Sequence, residues 1–288
     1  MNERQVLLVP HPGVERLPRR GSTYVDWPDS DRHRRKFLRV EGAWRGRGDV
    51  RGFGPLYFWG EFEAPTSFER LPYVSSAHPK GIQTIELSPE RPTLNTDPWI
   101  FHRGFVWSVC RHTQLDGWGT AAPGDIVLFG SVKGKRWLLD TVLVVEDRCK
   151  GPPVLGMFGE GYERLVMPTL IRRRVRPFWG REFSSLQQPF SFVPCSNERP
   201  FARPDISELL ERLTKRDGAP PPTNNSQALA ICSTEHIHLF WEKLLQQIFE
   251  ENLVLGISFE LVLPTLPKGR QSARLGRYSI KPRDSGCG

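Results

Sequence analysis

The chain has 288 residues, of which 40 are Lys or Arg and 32 are Asp or Glu, so its formal net charge is +8. Its 26 glycines and 26 prolines favour many short strands and turns over a long helical bundle. No segment approaches the roughly 20 consecutive apolar residues of a membrane-spanning helix, so we expect no membrane partner. The five widely spaced cysteines predict a reducing, cytoplasmic location.

The amino-terminal two-thirds of the chain is predicted to form short strands separated by turns. A turn at residues 123–125 precedes an apolar strand at 126–129, and a turn at 133–135 leads into a β-branched and aromatic strand at 137–145. These two strands are predicted to form a central hairpin. Further strands are predicted at residues 6–9, 105–109, 165–171 and 190–193.

Helical periodicity begins after residue 200. Asp205 is placed to cap a first helix. The apolar face of that helix consists of Ile206, Leu209, Leu210 and Leu213. Residues 219–225 contain three consecutive prolines, which favour an extended loop because they lack amide donors. A second helix is predicted to start near residue 233, and a strand is predicted at 253–263.

Basic charge is concentrated in three segments. Residues 31–51 contain eight basic residues against three acidic ones, and residues 268–288 contain six against one. The third segment contains Arg172, Arg173, Arg174, Arg176 and Arg181. Residues 203–260 are acidic instead, with nine acidic residues against five basic ones.

Arginine dominates the two basic segments that precede residue 200. Its planar guanidinium binds phosphate oxygens through two hydrogen bonds and stacks on bases. Aromatic residues lie next to both segments, namely Phe37, Trp44, Phe178 and Trp179. This pattern favours nucleic-acid binding. The alternative is a solvated surface or a contact for an acidic protein.

The chain lacks the motifs of common enzyme active sites. It contains no GxxxxGK[ST], GxGxxG, HExxH or GxSxG motif. Cys110 and His112 form only one pair of metal ligands, and His236 and His238 project in different directions from a helix. We therefore expect no metal, no cofactor and, on balance, a function that is not enzymatic.

An alternating strand is predicted at residues 56–63. Three apolar side chains share the face that we expect to pack in the core: Leu56, Phe58 and Phe62. Trp59 and Glu61 share the other face, where an indole beside a carboxylate can hold a flat base. The alternative is that Trp59 packs in the core while Glu61 and Glu63 pair with arginines. A similar string at residues 178–183 is interpreted as accidental, because an extra residue shifts its side-chain register.

Residues 123–131 (Pro-Gly-Asp-Ile-Val-Leu-Phe-Gly-Ser), followed by 139–145, resemble the Gly-Asp-led central hairpin of PUA-like domains, particularly the EVE and ASCH groups. The resemblance covers residues 97–147. It implies a small mixed barrel with a pocket that binds RNA or reads modified bases. The chain departs from the pattern at residues 139–141, where relatives often carry a glycine that lets a ligand approach.

The sequence therefore predicts an α+β protein with a β-rich PUA-like body at residues 1–200. An α+β, helix-containing region follows at 201–267, and a basic, flexible tail at 268–288. The body is predicted to bind DNA or RNA. Its predicted phosphate-binding residues are Arg34, Arg35, Lys36, Arg172, Arg173 and Arg174. The predicted pocket for a flipped or modified base consists of Trp59, Glu61 and Asp125.

Two other functions are compatible with the sequence. One is an enzyme acting on a nucleotide or nucleic acid, either a metal-dependent or an acid/base hydrolase. Its candidate acids, bases or metal ligands are Glu61, Glu63, Asp125 and His102. The other is a subunit of a larger nucleic-acid-processing assembly, in which the acidic helical region 203–260 docks a protein partner.

Overall fold

The computed structural model describes residues 4–10, 13–26, 34–87, 96–108, 121–150, 153, 155–168, 176–217, 229–232 and 234–265. Within these residues the fold is strand-rich and α+β, as predicted. Arg172, Arg173 and Arg174, the proline-rich loop 219–225 and the tail 268–288 lie outside the described residues.

The strands are longest in two antiparallel pairs, Lys36–Arg45 with Arg51–Gly60 and Ile126–Lys133 with Arg136–Arg148, and are shorter elsewhere. In chain order they are β1 (Arg4–Pro10), β2 (Tyr24–Val25), β3 (Lys36–Arg45), β4 (Arg51–Gly60), β5 (Thr66–Arg70), β6 (Gly81–Ile85), β7 (Val106–Trp107), β8 (Ile126–Lys133), β9 (Arg136–Arg148), β10 (Phe178–Gly180), β11 (Val193–Cys195), β12 (Leu229–Cys232) and β13 (Val254–Phe259). The helices are α1 (Gly159–Leu165), α2 (Ser207–Asp217) and α3 (Thr234–Glu250).

The first sheet has the strand order β12-β1-β8-β9-β10-β7 and forms the middle layer. The predicted hairpin is confirmed as β8 and β9. Alternate side chains of β1 enter two cores: Leu7 and Val9 face the second sheet, and Val6 and Leu8 face the helices. Because both faces of this sheet are covered, its central strands are buried along most of their length and consist mainly of apolar residues.

The second sheet has the order β11-β13-β3-β6-β5-β2, and β4 pairs with β3 along its whole length. The predicted core face of β4 is confirmed, because Leu56 and Phe58 are buried against the first sheet, as is Phe62 just beyond the strand. The sheets do not close into barrels, so the barrel shape implied by the resemblance is corrected to two open, packed sheets. The carboxyl-terminal region joins both sheets, since β12 pairs with β1 and β13 with β3.

The helices follow the predicted apolar stripes. Both predicted carboxyl-terminal helices are confirmed as α2 and α3, and Asp205 Oδ1 accepts a hydrogen bond from the Ser207 backbone N–H. The strand predicted at residues 165–171 is wrong in its described part, because α1 ends at Leu165 and residues 167–168 are also helical. A short apolar run does not by itself distinguish a strand from a buried helical turn.

Candidate nucleic-acid interface

Four charged side chains form an ion network in the protein interior. Arg35 Nη1 lies 3.0 Å from Glu61 Oε2, and Arg35 Nε lies 2.8 Å from Asp140 Oδ2. Arg203 donates to both oxygens of Asp140, at 2.8 and 2.7 Å. No side chain in this buried ion network is more than 4% exposed. The two guanidinium groups are balanced by two carboxylates, so Arg35 and Glu61 are paired with each other and do not face a ligand.

Trp59 belongs to the same interior region. Its indole Nε1 donates to the Phe201 carbonyl at 3.2 Å, and its ring packs edge-on against Phe37. The Arg203 guanidinium lies 5.8 Å from the Trp59 ring centroid. The placement of a base between Trp59 and Glu61 is therefore wrong, because protein groups already cover both side chains. The alternative stated from the sequence, a packed indole and a carboxylate paired with arginine, describes the structure.

Lys36 is also buried and does not reach the surface to bind phosphate. Its Nζ donates to the Ala64 carbonyl at 2.5 Å. Burial lowers the pKa of Lys36 to about 7, and the nearby charge of Arg16 adds to this, while Asp26 and Glu63 act in the opposite direction. The prediction that Lys36 contacts phosphate is wrong, because its amino group lies in the interior.

The remaining predicted residues do not converge on the Trp59 position. Asp125 is buried at the turn before β8, where its two oxygens accept hydrogen bonds from the backbone N–H groups of Gln5 and Ala122. Burial raises the pKa of Asp125, and the two hydrogen bonds limit that rise. Arg34 is half-buried. Asp125 therefore ties β1 to the turn and has no place in a base pocket with Trp59.

An open cleft of about 660 Å³ lies instead at the end of β10. It is lined by His102, Arg103, Glu146, Met157, Phe158, Trp179, Gly180, Arg181, Glu182, Phe183, Ser184 and Gln188. We call this feature the aromatic cleft. It combines aromatic ring surface with groups of both charge signs, and none of the described residues predicted to bind phosphate or a base lines it.

Close contact between two backbones builds the aromatic cleft. β10 pairs with β7, and the turn that precedes β7 carries His102 and Arg103. Gly104 has φ +72°, and a Cβ added there would lie 2.0 Å from the Gly180 carbonyl oxygen. Only glycine permits this approach. The Gly104–Gly180 contact places the tip of the turn beside Trp179.

The rings of the aromatic cleft form a connected series. His102 packs edge-on against Phe158 with centroids 5.3 Å apart, and Phe158 lies 6.3 Å from Trp179. Phe158 is buried, whereas Trp179 is half-buried, and both line the cleft. At the other wall, the Arg45 guanidinium lies 4.3 Å from the centroid of the Phe183 ring. The first basic segment thus reaches the aromatic cleft through Arg45.

A bulge in β9 supplies one acidic group of the aromatic cleft. Trp179 pairs with Asp147 and Gly180 with Val145, which leaves Glu146 as the extra residue. Glu146 Oε2 accepts a hydrogen bond from Arg181 Nε at 2.8 Å. This pair orients Arg181 and partly neutralises it.

Charge at the aromatic cleft is balanced, because Arg103 and Arg181 are accompanied by Glu146 and Glu182. Burial lowers the pKa of His102, opposed by a hydrogen bond to the Arg103 backbone and by the Glu182 carboxylate. The imidazole is therefore neutral near pH 7 and offers one donor and one acceptor.

A second groove lies between α2 and α3. It has a volume of about 470 Å³ and contains acidic groups such as Glu208 and Glu250 beside basic groups such as Arg212 and Lys243. Its charges are mixed, as in the aromatic cleft, but no aromatic ring lines it, so it offers no surface on which a base could stack. The partner predicted for region 203–260 stays a prediction.

Comparison with protein-family models, curated proteins and solved structures finds no match for this chain. Among the described residues, no three His, Cys, Asp or Glu side chains converge to hold a metal ion. No helix in the described ranges is long and apolar enough to cross a bilayer. A functional assignment therefore depends on the geometry of the aromatic cleft.

The sequence does carry a signal for the aromatic cleft. Residues 178–183 include Trp179, Arg181 and Phe183, and all three line the cleft. The sequence alone favours an accidental likeness between this string and residues 58–62, because Arg181 shifts its register. The signal is the composition of the string, two aromatic rings beside an arginine, and not side-chain alternation, because Gly180 and Glu182 line the cleft as well.

Proposed function

We propose that this protein binds nucleic acid and holds an unpaired base in the aromatic cleft. The observation that carries the proposal is the half-buried Trp179, which lines an open cleft together with Arg103 and Arg181. An aromatic face stacks on any base, and guanidinium groups beside it bind the adjoining phosphates.

The polar groups of the aromatic cleft support the same ligand. His102, Glu182 and Gln188 offer donors and acceptors for the edge of a stacked base. A carboxylate accepts hydrogen bonds from a base amino group, as Glu and Asp do from cytosine. The cleft volume falls within the range of small-ligand sites. The reading of modified bases, implied by the PUA-like resemblance, is part of this proposal and is assigned to the aromatic cleft.

Binding of a fluorescent single-stranded oligonucleotide, followed by anisotropy, tests the proposal. We expect Trp179→Ala to weaken binding at least about five-fold, because stacking on one aromatic ring contributes roughly 1–3 kcal/mol. Tyr73→Ala is the matched control, since Tyr73 is an exposed aromatic residue outside the cleft. Equal affinity of the Trp179→Ala variant and the unaltered protein would contradict the proposal.

One observation favours a catalytic variant of this function. Of the four acid, base or ligand candidates named from the sequence, only His102 lines the aromatic cleft. A neutral imidazole beside a bound nucleotide is suited to act as a general base. Incubation of labelled oligonucleotide with the protein and with His102→Ala tests this, because an enzyme would form product and the variant would not. Binding without product formation would exclude the enzyme and leave the binding proposal intact.

A further inference from the structure

The β3–β4 ribbon has one core face and one face turned outward. Directly paired residues of antiparallel strands project to the same side. Leu38 pairs with Phe58 and Val40 with Leu56, and all four are buried in the core. The intervening positions project to the other side, which Phe201 covers at the Phe37–Trp59 end and which is more open along the rest of the ribbon.

The outward positions interleave arginines with aromatic rings. Arg39 pairs with Tyr57, Ala43 with Phe53, and Arg45 with Arg51. We call the set Arg39, Arg45, Arg51, Phe53 and Tyr57 the ribbon face. Glu41 lies on the same side and Asp49 pairs with Arg45 at 3.8 Å, so three arginines are accompanied by two carboxylates there.

The ribbon face is accessible over most of its length. Phe53 is 61% exposed, and Arg39 and Arg51 are exposed. The Arg39 guanidinium lies 6.0 Å from the Tyr57 ring centroid, and Tyr57 is half-buried. An exposed phenylalanine between arginines gains little from folding alone, but it suits a ligand that presents flat rings and negative charge.

The ribbon face is continuous with the aromatic cleft. Arg45 belongs to the ribbon face, and its guanidinium stacks on Phe183 at 4.3 Å. Phe183 in turn lines the cleft. A strand whose base occupies the aromatic cleft therefore has a charged and aromatic path leading away from it.

We infer that the ribbon face binds the nucleotides next to the base in the aromatic cleft, so that the ligand is a single-stranded oligonucleotide. This inference rests on the proposed function. Phe53 and Tyr57 are four residues apart, or about 13 Å along a strand, so they contact different nucleotides. Bases in a duplex are already stacked on each other and cannot stack on a flat ribbon, whereas the bases of a single strand can.

Dependence of affinity on oligonucleotide length tests the inference. Thymidine monophosphate and an oligothymidylate of about eight nucleotides are titrated against the unaltered protein, Phe53→Ala and Trp179→Ala. We expect Phe53→Ala to weaken binding of the oligonucleotide at least about five-fold and to leave binding of the mononucleotide unchanged. We expect Trp179→Ala to weaken binding of both ligands. Arg51→Ala is expected to act like Phe53→Ala, with Tyr73→Ala and Arg212→Ala as exposed controls.

The outcomes separate this inference from the proposed function. If Trp179→Ala weakens binding of both ligands and Phe53→Ala weakens binding of neither, the cleft proposal stands and the ribbon inference is wrong. If Trp179→Ala weakens binding of neither ligand, the proposed function is wrong. A duplex of the same length that binds more tightly than the single strand, in a manner dependent on Phe53, would also overturn the inference. Unchanged circular dichroism of Phe53→Ala, expected for an exposed side chain, shows that any loss is not a folding defect.

Discussion

Asp140 and Glu146 are each the extra residue of a bulge in β9, and the two bulges send their carboxylates to opposite environments. Phe129 pairs with Thr141 and Gly130 with Leu139, which leaves Asp140 unpaired in the ladder and directed into the buried ion network. The second bulge directs Glu146 to the rim of the aromatic cleft, where its side chain is 48% exposed. One strand thereby supplies an acid to the interior and an acid to the candidate site.

These two carboxylates are expected to differ in their effect on stability. Asp140→Asn removes the charge shared by Arg35 and Arg203 and leaves the buried ion network with excess positive charge. Its expected cost is about 3–5 kcal/mol of unfolding free energy. Glu146→Gln is the matched control, with an expected cost below about 1 kcal/mol because the pair with Arg181 is partly exposed. Urea denaturation of both variants measures the difference, and similar losses would contradict it.

Gly104 is expected to be intolerant of a side chain. Gly104→Ala adds a Cβ that overlaps the Gly180 carbonyl, whereas Gly134, at φ +67°, has no atom within 4 Å of an added Cβ. Both alanine variants incur the cost of a left-handed residue, about 1–2 kcal/mol. Gly104→Ala is expected to cost a further ~1–3 kcal/mol and to weaken oligonucleotide binding, because the turn carrying His102 must shift. Thermal unfolding and anisotropy check this, and equal effects of the two variants would refute it.

Lys36 is expected to make stability depend on pH. Its pKa is about 7 in the folded protein and at its usual higher value in the unfolded chain. Between pH about 7 and about 10 the unfolded chain binds more protons, so this residue's contribution to stability rises with pH over that window. We expect Lys36→Met to remove that rise. Lys135→Met, at an exposed lysine, serves as the control. Identical pH profiles of Lys36→Met and the unaltered protein would show that Lys36 is not responsible.

Arg103 is expected to contribute to the salt dependence of binding. Each phosphate contact to a single strand contributes about 0.7 to the slope of log affinity against log salt concentration. Arg103→Ala should therefore reduce the magnitude of that slope by about 0.7. Arg212→Ala, on the exposed surface of α2, should leave it unchanged. Anisotropy titrations at several salt concentrations give the slopes, and a slope unaltered by Arg103→Ala would remove Arg103 from the interface.

Local patterns in the sequence predict much of the fold. The alternation at residues 56–63 identifies the core face of β4, and helical spacing after residue 200 identifies α2 and α3. These patterns succeed because a strand or helix buries one face whatever surrounds it. They do not reveal which strands are neighbours, and for that reason the insertion of β13 beside β3 has no local signature.

The candidate site was less predictable because charge in a sequence does not reveal burial. Arg34, Arg35 and Lys36 read as one basic cluster, yet Arg35 and Lys36 lie inside the protein and only Arg34 is partly accessible. The partners that neutralise Arg35 are 26 and 105 positions away in the chain. Such pairings depend on tertiary contacts, and no window of sequence contains them.

The neutral balance of the buried ion network has a practical consequence for purification. Dissolved ions do not enter the interior, so salt screens the attraction among Arg35, Glu61, Asp140 and Arg203 far less than it screens ion pairs at the surface. A high-salt buffer that dissociates bound polyanions from the protein should therefore leave the protein folded.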